Sequence, residues 1–105
     1  MINSLIKQYI IYENDEFIVF KREDYDINLK LIKQYDCKWC SDNRVSWDRL
    51  IDVGNLYGII EKDTNELYSA LILHDGTLRR LINSKHINIH NNKLKKLIIN
   101  LAKNG

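Results

Sequence analysis

The only two cysteines in the chain, Cys37 and Cys40, flank Lys38-Trp39 in the stretch DCKWCSDNR. Cys-x2-Cys is the spacing of half a zinc site, and His86-x3-His90 is the spacing of another half. In a regular strand or helix, both histidines would project from one face. Against zinc stands the gap: 45 residues separate Cys40 from His86, where a compact finger has roughly 12 to 15. A redox pair would sit at a helix N-terminus within a βαβ unit, usually with Gly or Pro between the cysteines. A catalytic thiol would need a histidine base and an orienting group. His74, His86, His90 and Asp75 supply the types, but no nucleophile elbow or oxyanion motif accompanies them. The remaining chemistry is the plainest. A free cysteine in a reducing compartment behaves as a small buried hydrophobe. With Trp39 and Trp47 the pair would build a core corner between the preceding helix and the strands that follow. That is the reading adopted, with metal held by Cys37, Cys40, His86 and His90 as the runner-up; no cofactor and no enzymatic activity are expected.

Charge is the second feature. The net charge is +2, but residues 1–52 carry 8 basic and 10 acidic groups, and residues 53–105 carry 8 and 4. No acid follows Asp75, whereas Arg79, Arg80, Lys85, Lys93, Lys95, Lys96 and Lys103 do. Such a block attracts nucleic acid, anionic membrane or an acidic protein face, unless it is simply a solvated surface balancing an acidic half. The candidate binding surface is Arg79, Arg80, Lys85, Lys93, Lys96 and Lys103, all facing solvent except that strand alternation lets one of the two arginines point inward. Should that surface be only solubilising, the acidic half around Glu13, Asp15, Glu16, Glu23 and Asp24 is the next place to look.

The elements that must position these residues follow from periodicity. Leu5, Ile6, Tyr9 and Ile10 have helical spacing and predict a short N-terminal helix. EFIVF reads as a strand. DYDINLKLIKQY fits either period and is assigned as a helix because Asp24 or Asp26 can cap it. SWDRLIDVG reads as a helix with Ser46 as N-cap and Gly54 as its left-handed terminator. LYGIIEK and ELYSALIL are strands around Asp63-Thr64-Asn65, and TLRRLI follows an Asp75-Gly76 hairpin turn. HINIH alternates and is a candidate fourth strand of that meander. NNKLKKLIINLAKNG closes as a helix, capped by Asn91 or Asn92 and ended by Gly105. Leu94, Leu97, Ile98 and Leu101 form its core stripe, with Lys93, Lys96, Asn100 and Lys103 opposite. The expected fold is α+β: one domain over residues 1–105, a three- or four-stranded antiparallel meander flanked by N-terminal helices and a C-terminal amphipathic helix. At this length one core is feasible and two are not.

No apolar run approaches the ~20 residues that span a bilayer, and the N-terminus lacks the pattern of a signal peptide. The chain is therefore expected in the cytoplasm of the producing or infected cell, away from membrane. Ile, Asn and Lys supply 39 of 105 residues; their A/T-rich codons point to an AT-rich genome such as that of a low-GC bacterium, its phages or a large DNA virus. YGIIEKDTNELYSA is faintly similar to the hairpin of GIY-YIG nucleases, but Ile60 stands where a tyrosine is needed and Tyr68-Ser69-Ala70 lacks the closing glycine, so that reading is set aside. Lys38-Trp39-Cys40-Ser41, followed by Gly54-x-Leu56-Tyr57-x-Ile59 and a hairpin returning through Tyr68, resembles uncharacterised phage-encoded proteins with a KWC[ST]…GxLYx[IV] motif over roughly residues 36–89. It departs upstream, where Asp36-Cys37 replaces a Gly-Thr. The resemblance implies a phage gene and no particular activity. The expected function is a small viral binding protein whose basic C-terminal surface occupies a host or viral protein, such as an inhibitor of a host defence or nucleic-acid-handling complex in the manner of an anti-CRISPR. Direct DNA or RNA binding, with Tyr or Trp stacking on bases, is the alternative; a Cys/His metal-dependent or thiol enzyme is the third.

Overall fold

A computed structural model describes residues 2–39 and 43–104. The order of elements is α1 (Ile2–Ile6), a 3-10 turn (Lys7–Tyr9), β1 (Ile10–Glu13), β2 (Phe17–Lys21), α2 (Tyr25–Tyr35), α3 (Arg44–Val53), β3 (Gly54–Glu61), β4 (Glu66–Leu73), β5 (Leu78–Ile82) and α4 (Asn92–Asn104). The fold is α+β. Its sheet is antiparallel, with strands in the sequential order β1-β2-β3-β4-β5. No helix among the described residues is long and apolar enough to cross a membrane.

Five strands replace the three or four expected: the EFIVF strand joins the meander as β2 by pairing with β3, and β1 is added because the N-terminal helix is shorter than its apolar spacing predicts. It stops at Ile6, and Ile10–Glu13 pairs with β2 instead. The run Ile10-Ile11-Tyr12 is β-branched and aromatic, so a neighbouring strand offers it more than a further helical turn does. Conversely, HINIH is not a strand: one bridge, Ile82↔Asn88, is all that forms.

The strands are apolar on both sides because both sides are covered. On one side Ile18, Phe20, Ile60, Leu67 and Ile82 pack with Ile6 of α1, Leu31 and Ile32 of α2, and Trp39, while Trp47 of α3 closes over Leu56 and Leu71. On the other, Phe17, Val19, Tyr57, Ile59, Ala70, Ile72 and Leu81 receive Leu94 and Ile98 of α4. Gly58 is needed on the first side, since a Cβ there would lie 2.1 Å from the Phe20 ring.

Caps follow side-chain chemistry, with two corrections. Asp24 accepts from the Ile27 amide at 3.1 Å and starts α2. Asn91 accepts from the Leu94 amide at 3.1 Å and starts α4. For α3 the cap is Asn43, which accepts from the Ser46 amide at 2.9 Å; Ser46 lies inside the helix rather than at its cap. Gly54 ends α3 in extended conformation, φ −175°, so it is no left-handed terminator. Glycine serves there because a Cβ would come 2.3 Å from the Ile72 carbonyl oxygen. Gly105 lies outside the described residues.

Candidate functional site

The cysteine motif resolves into a packed joint as far as it is described; Cys40 lies outside the described residues. Asp36 takes a left-handed conformation, φ 52°, and ends α2. The chain then turns inward: the Cys37 amide donates to the Ile32 carbonyl (2.9 Å), the Lys38 amide to that of Ser84 (2.7 Å), and the Trp39 indole N–H to that of Asn83 (2.8 Å). Cys37 is 8% exposed. Burial, reinforced by Glu66 and Asp36 and only partly opposed by Arg22, pushes its thiol up to about 11. A thiol so poorly ionised near neutral pH is a weak nucleophile and a reluctant metal ligand.

The two histidines do not share a face. His86 adopts φ 65° in the turn after β5, with Nδ1 3.4 Å from the Lys38 carbonyl. His90 lies elsewhere, beside Arg79 and Lys95. The left-handed backbone at His86 itself, within a turn rather than a strand or helix, breaks the regular spacing on which the four-ligand expectation rests. Among the described residues no three His, Cys, Asp or Glu side chains gather in a group able to hold a metal.

A residue that sequence reasoning passed over occupies the centre of this side. Arg22 is 4% exposed. Its guanidinium lies 4.6 Å from the Trp39 ring and 5.9 Å from the Trp47 ring. It donates to Asn28 Oδ1 from Nε (3.1 Å) and Nη2 (2.6 Å), and to Ser69 Oγ from Nη1. Charge, stacking and hydrogen bonds thus tie β2, α2 and β4 to both tryptophans. The available signal was parity: Arg22 stands two positions after Phe20, one residue past the end of β2, and keeps that strand's inward phase. The tryptophans, 3% and 1% exposed, cannot stack on bases; that part of the nucleic-acid expectation is corrected.

The open site is a groove beside β5. The register places Arg80 opposite Leu71 and Leu78 opposite Ile72, so Arg79 is the extra residue of a β-bulge. Arg79 is exposed. Arg80 is half-buried on the tryptophan side, where it lines a small gap with Arg22 and Trp39. After β5, Asn83 Oδ1 accepts from the Lys85 (2.9 Å) and Ile87 (3.0 Å) amides and folds the chain back. The Asn83 amide donates to the Ile87 carbonyl and the Ile89 amide to that of Leu81. This return covers the far end of the β5 edge and leaves a groove of about 180 Å³, floored by Leu78, Leu81 and Ile89 and rimmed by Arg79, His90 and Lys95. Lys95 was not among the expected surface residues, being one position off the Lys93/Lys96 face. No acidic side chain lines the groove.

Four of the five acids named on the N-terminal half are engaged; Asp15 has no ion pair among the described residues. Glu13 meets Lys62 at 2.8 Å, Glu16 meets Lys93, Glu23 meets Lys21 at 3.9 Å, and Asp24 caps α2 while accepting from the Tyr9 hydroxyl at 3.5 Å. Among the described residues, Arg79, Lys85, Lys95, Lys96 and Lys103 form no ion pair. Lys93, Lys96 and Lys103 are exposed, but Lys93 is engaged with Glu16. No protein-family model, curated protein or solved structure matches the chain.

Proposed function

We propose that this chain is a binding protein that engages an anionic macromolecular partner through the groove beside β5 and the neighbouring lysines of α4, and acts by occupying that partner's surface. One observation carries the reading: Arg79, His90 and Lys95 surround a concave site with no acid in its lining, while Glu13, Glu16 and Glu23 are engaged in ion pairs elsewhere and Asp24 caps α2. Cations left without local counter-charge sustain a positive potential that steers an anionic partner. Occupying a component of a host defence or nucleic-acid-handling complex would make the chain an inhibitor, and a phage or viral origin would suit that role. The raised thiol of Cys37 favours binding over thiol catalysis.

The test is binding to two anionic polymers, duplex DNA and polyglutamate, followed by fluorescence anisotropy. At least one is expected to bind at low salt. The Arg79→Glu/Lys95→Glu protein should lose that binding while melting within a few degrees of the parent, since surface changes usually cost within ~0.5 kcal/mol each. If neither polymer binds, or the reversed protein binds as before, the groove is not the working surface.

A further inference from the structure

We infer that the groove beside β5 is a phosphate-backbone site for nucleic acid, read without regard to base sequence. This deepens the functional proposal and rests on the groove being the working surface. Three observations select phosphodiester over an acidic peptide or protein.

The first is the cation set. Arg79 offers a planar fork of donors that matches phosphate oxygens in pairs, and Lys95 adds a point charge across the groove. The second is the strand edge. An acidic extended peptide would gain its affinity by adding a strand to β5, but the bulge at Arg79 and the return through Asn88 interrupt and cover that edge. A ligand carrying charge at regular intervals, without needing main-chain pairing, suits the groove better. The third is the track that continues from it. Lys96 adjoins Lys95, and Lys103 lies two turns further along α4; both are exposed and make no ion pair among the described residues. Seven residues of helix cover ~10 Å, about the axial span of three phosphates on one duplex strand. Trp39 and Trp47 are inside the core, and no Trp, Tyr or Phe lines the groove to receive an unstacked base. The contact is therefore with the backbone of a duplex.

Salt dependence gives the test its number. Contacts from Arg79, Lys95, Lys96 and Lys103 would neutralise about four phosphates, so log K should fall against log salt with a slope of about −3.6 on duplex DNA. Anisotropy with two labelled duplexes of unrelated sequence, between about 50 and 200 mM salt, measures it. Both duplexes are expected to bind alike. The Arg79→Ala/Lys95→Ala protein should bind at least tenfold more weakly, with its slope reduced to about −1.8. Unchanged thermal melting would show that the fold is intact. If polyglutamate or anionic vesicles bind through these residues and duplex DNA does not, the nucleic-acid inference fails while the surface proposal stands. If the duplex binds but the double variant keeps its slope, the phosphates lie elsewhere and the inference also fails. If no anion binds, both proposals fall together.

Discussion

The two sides of the sheet solve the same packing problem differently. The α4 side buries apolar side chains almost alone: Leu94 and Ile98 enter a patch of Val19, Ile59, Ala70, Ile72 and Leu81. The α1–α3 side buries a charge in its middle. Arg22, Asn28 and Ser69 form a polar seam roofed by two tryptophans. An apolar interface is tolerant, because its free energy scales with area and volume. A buried hydrogen-bonded cation is less forgiving, because each group left without a partner keeps its full desolvation cost. The seam therefore specifies how α2, the segment carrying Trp39, and α3 dock, whereas α4 needs only the right stripe.

The sharpest way to break that contrast is Arg22→Met. It preserves bulk but strands Asn28 Oδ1 and removes the stacked cation, and should cost about 4 kcal/mol in urea unfolding. Arg22→Met/Asn28→Leu/Ser69→Ala should recover much of this, since the Asn28 and Ser69 acceptors are then removed together with the cation. The matched change on the other side, Leu94→Ala, should cost about 3 kcal/mol, and no second substitution of the polar-removing kind should restore it. Equal rescue on both sides, or no rescue on either, would erase the distinction.

A subtler difference lies in alkaline pH. The Cys37 thiol belongs to the seam side and is raised from 9.0 to about 11, chiefly by burial. Between those values the unfolded chain has lost the proton and the native state retains it, so the native state binds more protons and stability falls as pH rises. Tyr35 and Tyr68 are raised too and add the same sign at higher pH. Cys37→Ala should flatten the earliest part of the fall, just above pH 9, in urea midpoints taken across that range. An identical curve would mean the thiol is not held neutral by the fold.

The smallest expected effect is at the entrance to the seam. Asp36 holds φ 52° at the end of α2, a conformation glycine adopts without a Cβ penalty. Its ion pair with Lys38 spans 3.7 Å between well-exposed side chains and contributes little. Asp36→Gly should stabilise by about 0.5 kcal/mol, the relief of strain being partly offset by glycine's unfolded-state entropy. A loss of stability would show that the aspartate side chain matters more than the turn.

The sequence by itself determined the parts whose causes are local. The capping aspartate of α2, the apolar stripe of α4, the strands either side of Asp63–Asn65 and Asp75–Gly76, and the absence of acid after Asp75 all depend on residues within a few positions of one another. A helix cap or a hairpin turn is satisfied by its neighbours, so its signal survives in the linear chain. Tertiary structure decided what depends on distant partners. Ile10–Glu13 became a strand because β2 was there to pair with it. Arg22 became a core residue because Ser69, 47 positions away, and Asn28 receive its guanidinium. Lys93 was drawn out of the basic face by Glu16, 77 positions earlier, and Lys95 entered it because a bulge and a returning loop opened a groove beside β5. Burial and electrostatic potential are sums over neighbours in space, and the order of residues along a chain does not state who those neighbours will be.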